Sequence, residues 1–118
     1  SVTYGFEEMD ELFKDHALLA GFVIHEGWMH PDKDDGEIRS GKIYPWSGQH
    51  AVLLVGTQVQ RGRFWIVFQN SWGEDWGRYG FGIISAVEFE RTILPEGPYY
   101  LDIPEGTDWK IDAKFLVA

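Results

Sequence analysis

Two short runs constrain this chain more than any other part of it. Gln49-His50-Ala51-Val52-Leu53-Leu54-Val55-Gly56 sets a histidine at the head of an apolar stretch. Phe64-Trp65-Ile66-Val67-Phe68-Gln69 then leads directly into Asn70-Ser71-Trp72-Gly73-Glu74-Asp75-Trp76-Gly77. The apolar stretches predict strands over Ala51–Val55 and Arg63–Phe68, joined by a turn at Arg61-Gly62. Asn70 is the only asparagine in 118 residues, so its place beside Ser-Trp-Gly is not a draw from an Asn-rich background. No residue is a cysteine. The chain therefore has no thiol nucleophile, no thiolate metal ligand and no disulfide.

These residues resemble the C-terminal half of the papain-like cysteine proteases. In that family the His is the base, the Asn orients it, and a Cys from the other half of the molecule attacks the peptide. The resemblance covers residues 9–86. Met9–Phe13 stand where the family has a helix and Leu18–Ile24 where it has a strand. Gly41-Lys42-Ile43-Tyr44 takes the place of a Gly-Ile-Tyr or Gly-Val-Tyr element shortly before the His. The implied fold is α+β and mostly antiparallel β, a barrel-like right domain with one N-terminal helix. His50, Asn70 and Trp72 fall at the family's catalytic positions. Ala51 flanks the substrate side-chain pocket, and Gln49 stands beside it as a weaker candidate. The inserted Lys42, Gln49 before the His and Gln69 before the Asn depart from the family pattern.

The chemistry explains the residue types. An imidazole that activates a thiol must hold one tautomer and one orientation. An amide carbonyl accepts the other ring N–H without adding a competing negative charge, which suits Asn70. An indole at Trp72 would shield that hydrogen bond from water. Gly73 and Gly77 would permit the turn that brings Trp72 and Trp76 back over the strands. The same tryptophans would also serve as plain packing in an inert protein.

Composition bounds the alternatives. A chain of this length makes one domain, 1–118, with 87–118 read as an extended tail punctuated by Pro95, Pro98 and Pro104. Hydrophobic content of 44%, with six tryptophans, is incompatible with disorder and favours a β-rich core. A net charge of −9 argues against nucleic acid and anionic membranes as partners. No apolar run approaches the ~20 residues that span a bilayer, and no leader pattern opens the chain. Together with the missing cysteines, this tilts the expected setting to the cytoplasm.

Along the chain, Phe6, Met9, Leu12 and Phe13 alternate with acids at helical spacing, predicting a helix over 6–15. Ala17–Ile24 reads as a buried strand, Gly27–Gly41 as a polar loop and Tyr79–Ile84 as a further strand. Beyond Ser85 only short extended pieces such as Tyr99–Ile103 are expected. Two metal patterns fail. His25-Glu26-Gly27-Trp28-Met29-His30 is one residue too long for a zinc-protease helix and contains Gly27. Asp32-Lys33-Asp34-Asp35-Gly36-Glu37 has its glycine one position early for a calcium loop, and Ile43 stands where the bidentate Glu belongs. No metal and no cofactor is expected.

Two functions remain open. One is a non-catalytic half-domain that binds another protein, or itself, through the face that normally lines the cleft, with the tail as part of that interface. The other is the His/Asn-bearing part of a cysteine endopeptidase whose Cys-bearing half lies on another chain or an upstream segment.

Overall fold

A computed structural model describes residues 6–95 and 98–100. It contains α1 (Phe6–Leu12), β1 (Leu18–Val23), α2 (Glu26–Met29), β2 (Gln49–Gln60), β3 (Arg63–Gln69), β4 (Phe81–Ser85), α3 (Ala86–Thr92) and β5 (Tyr99–Tyr100). The strands form one antiparallel sheet in the order β4-β3-β2-β1-β5. The α+β, mainly antiparallel architecture expected from the sequence is the one observed.

The centre of the sheet follows from residue type. Trp65, Ile66, Val67 and Phe68 of β3 are all buried, because both faces of this strand are covered. One face carries the main core, where Leu18, Phe22, Leu54, Phe68 and Ile84 meet Met9 of α1, Trp28 of α2 and Phe89 of α3. Val55, Trp65, Val67 and Ile83 form a smaller cluster of their own. The β2–β3 hairpin closes through Arg61 and Gly62, at φ 53° and 67°. Positive φ at both turn residues matches the twist of the flanking strands. Arg61 is held there by ion pairs to Asp35 and Glu37 and by its guanidinium over the Trp65 ring.

Three local expectations need correction. The first concerns 27–41, read as a polar loop. It begins inside α2, and Trp28 has 0% exposure, among the largest fully buried side chains of the described residues. The second concerns β2, which runs on to Gln60 rather than stopping at Val55. A register shift between Leu54 and Gly56 lets the strand continue past the glycine. The third concerns the stretch read as an extended tail, which opens with α3. Ser85 Oγ caps this helix by accepting from the Glu88 N–H at 3.2 Å. The prolines that suggested extension begin only at Pro95, and upstream of them the cap and the burial of Phe89 and Thr92 favour a helix.

α3 carries the chain from one sheet edge to the other. Ile93 bridges Phe22 and the Leu94 N–H donates to Gly21 O, covering the outer edge of β1. Glu37–Ile38 do the same for β4, bridging Ile83. Of the predicted extended piece 99–103, Tyr99–Tyr100 pair with β1 as β5, and 101–118 lie outside the described residues.

Candidate active-site wall around His50

His50 lies near the start of β2, paired in register with Phe22, and Asn70 follows directly after β3. The hairpin that joins the two strands brings these residues together across twenty positions. His50 Nε2 lies 2.7 Å from Asn70 Oδ1. That oxygen also accepts the Ser71 N–H at 2.8 Å. A carbonyl oxygen has no proton to give, so Nε2 carries the hydrogen and donates it. Nδ1 is left with no hydrogen bond among the described residues. Asn70 is itself anchored, 7% exposed, with its N–H donating to Gly80 O at 3.0 Å.

Three indoles surround the pair. Trp72 stacks on the imidazole, centroids 4.8 Å apart and planes 23° apart, and is 39% exposed on its outer side. Trp28 meets His50 edge-on at 6.4 Å and stacks on Trp76 at 6.2 Å. Trp76 Nε1–H donates to Trp28 O at 2.7 Å, tying the 72–76 turn to α2. Gly77 makes the turn possible. Its φ is +60°, and a Cβ there would run into Phe81 O. Trp28 is the site residue that sequence reasoning missed. It sits in a stretch dominated by Gly, Pro and acids, with no apolar periodicity to expose its role.

Ala51 lines an open groove with Leu19, Leu53, Gln69 and Asn70, a space of about 260 Å³. Gln49 is exposed one position before His50 and does not line the groove. Leu19 is 38% exposed there. Asn70 Nδ2 is buried with no hydrogen-bond partner among the described residues. His25, paired with His30 in the failed zinc pattern, does something else. Its Nδ1 accepts from the Gly27 N–H as the cap of α2, and its Nε2–H donates to Glu88 Oε1 at 2.7 Å. Glu88 also receives Arg91, through Nη2 on Oε1 at 2.6 Å and Nε on Oε2 at 3.0 Å. Burial opposes charge on Glu88, yet the bonds from Arg91 and His25 prevail and hold its carboxyl below the ordinary value. The acidic loop spends its carboxylates on its own turn and on arginines: Asp32 Oδ1 accepts from Asp34 N–H and Asp35 Oδ1 from Glu37 N–H, while Arg39 holds Asp32 and Arg61 holds Asp35 and Glu37. Among the described residues, no three acidic or histidine side chains gather as a metal site.

Comparison with known proteins identifies the family. The profile of the papain family cysteine proteases matches residues 29–93, more than half of the chain. Cathepsin B-like cysteine proteinase 3 of Ostertagia ostertagi is 30% identical over 71 residues, covering 60% of this chain and 39% of that protein. A cysteine proteinase of Theileria annulata is 60% identical over 68 residues, covering 55% of this chain and 13% of that protein. The chain thus spans well under half the length of these relatives. The fold resembles the bromelain protease of Ananas comosus, with TM-score 0.52 at 19% identity over 67% of this chain and 35% of that one. It also resembles procathepsin B S9 of Trypanosoma congolense, with TM-score 0.55 at 22% identity over 71% and 28%. The bonded His50–Asn70 pair lies inside the matched segment, and the chain belongs to the papain family of cysteine proteases.

Proposed function

We propose that this chain is a protein-binding half-domain whose open face, beside His50, is completed by a second polypeptide surface. The observation that carries the reading is the groove at Asn70. An apolar strip including Leu19 and Leu53 lines it beside Asn70, whose buried side-chain N–H₂ has no partner among the described residues, and Trp72 is 39% exposed over the imidazole. Covering exposed apolar area such as that of Leu19 is favourable by roughly 25 cal/mol per Å² removed from water, which favours an incoming apolar segment. Without a cysteine, the chain has no thiolate with which to perform the family's chemistry.

A second reading rests on one specific observation. The His50 Nε2–Asn70 bond leaves Nδ1 as the available ring nitrogen, under a stacked indole. If the completing surface brings a thiol to Nδ1, His50 acts as its proton acceptor and later donor. Asn70 orients the ring, and the role of this chain becomes that of the His/Asn wall of an endopeptidase.

Adding a purified Cys-bearing papain-type half separates the readings, with association followed by light scattering and turnover by a fluorogenic peptide. The chain alone is expected to give no turnover. Association without turnover supports the binding module, whereas turnover abolished by His50→Ala supports the composite peptidase. A chain that stays monomeric and binds neither that half nor itself contradicts both.

A further inference from the structure

The other end of the sheet holds a second cavity. β3 runs from Arg63 to Gln69 beside Asn70, and at about 3.3 Å per residue this places the two ends about 20 Å apart. The space is about 690 Å³, within the range of small-molecule sites. Ile38, Phe64 and Val87 give it apolar walls, while Arg39, Arg63 and Arg91 also line it. Glu37 and Glu88 are part of the lining, but Arg61 holds Glu37, and Arg91 and His25 hold both oxygens of Glu88. Three guanidinium groups against two carboxylates leave the lining positive, in a chain whose net charge is −9.

The arginine donors are not spent. The Arg63 side chain makes no hydrogen bond, ion pair or ring contact among the described residues. Arg39 uses only Nη2, on Asp32, and Arg91 leaves Nη1 without a partner there. A guanidinium fork matches a carboxylate with two parallel hydrogen bonds. A bare oxyanion would leave Ile38, Phe64 and Val87 unmatched, and a neutral apolar ligand would cover Arg63 without replacing its water.

We propose that this cavity binds an apolar acid: one carboxylate on an aliphatic or aromatic body. Such a group occurs at the C-terminus of a peptide ending in an apolar residue, and in free small acids. Arg63 grips the carboxylate, and Val87, 76% exposed, lies against its apolar body at the mouth.

Solution NMR of the folded chain tests this, with N-acetyl-phenylalanine, its C-terminal amide and inorganic phosphate as probes. The acid should shift the Arg63 Nε–H and the Ile38 and Val87 methyl signals in a saturable way, leaving the His50 ring signals in place. The amide should bind at least about tenfold more weakly, as should the acid on Arg63→Ala, since a charged hydrogen-bonded pair is lost. Val87→Glu, a change at an exposed position, should abolish binding while leaving the thermal unfolding curve unchanged. A tripeptide ending in Phe identifies the source. Binding as tight as that of the single residue points to a peptide terminus, and exclusion of the tripeptide points to a free acid. Equal binding of acid and amide, or phosphate shifting Arg63 as strongly as the acid does, overturns the proposal.

Discussion

At the scale of single residues, one oxygen does most of the organising at His50. Asn70 Oδ1 accepts from both the Ser71 N–H and His50 Nε2, which leaves the neutral imidazole a single tautomer. Asn70→Ala should therefore release the ring. In ¹⁵N-resolved NMR of the imidazole, the wild type is expected to show a slowly exchanging Nε2–H and an unprotonated Nδ1 in the neutral form. The variant should show fast exchange and a mixture of tautomers, with stability reduced by about 1–3 kcal/mol in denaturant titrations. Trp28 matters at the same scale for a different reason. It touches Phe22, Phe68, Trp72, Trp76 and His50 at once, so Trp28→Ala should cost about 3–5 kcal/mol. Much of a small domain's stability is of that size.

At the scale of elements, α3 and the 72–80 turn hold the site by different means. α3 depends on its cap. Ser85→Ala removes the acceptor for the Glu88 N–H and is expected to lower stability by about 1 kcal/mol, measured as a shifted denaturant midpoint at unchanged slope. Ser85-x-x-Glu88 is a start signal that can be read from the chain, so this helix was legible in principle and was hidden by reading the Pro-punctuated tail as one extended stretch. The turn depends on backbone freedom. Gly77→Ala must adopt φ near +60° and also push against Phe81 O, so the Trp76–Trp28 hydrogen bond should be disturbed. Loss of the Trp76 Nε1–H signal from its hydrogen-bonded position would report that directly. By contrast, β1, β3 and the first half of β2 were legible from their apolar runs, because burying those side chains leaves the backbone few alternatives.

At the scale of the whole molecule, carboxylates held by hydrogen bonds and arginines contribute to the response to acid. The Glu88 carboxyl lies below its ordinary value of 4.5 because Arg91 and His25 together outweigh the cost of burying it. Asp32 lies below 3.8, held chiefly by the Asp34 N–H against a smaller cost of burial. A carboxyl with a depressed folded value stabilises the protein fully above its unfolded value, and loses that contribution as pH falls through the folded one. Melting temperature should thus be level near neutral pH with respect to these groups and decline below about pH 4.5. Glu88→Gln should lower the neutral plateau and flatten part of the acid decline, while a decline of unchanged size would rule out Glu88 as its source. Glu88 reaches His25 across 63 positions, and no local spacing in the chain announces that meeting.

What the sequence determined by itself is the family half, the central strands and the identity of the His50, Asn70 and Trp72 constellation. Each of these rests on local patterns: apolar runs, a hairpin turn and a motif with the chain's single asparagine. What only the tertiary structure decided is which groups meet. It buried Trp28 beneath the imidazole, clamped Glu88 between His25 and Arg91, and placed Asn70 on the wall of an open groove. Those outcomes depend on desolvation and packing between segments far apart in the chain, and both are properties of the closed fold rather than of any stretch of residues.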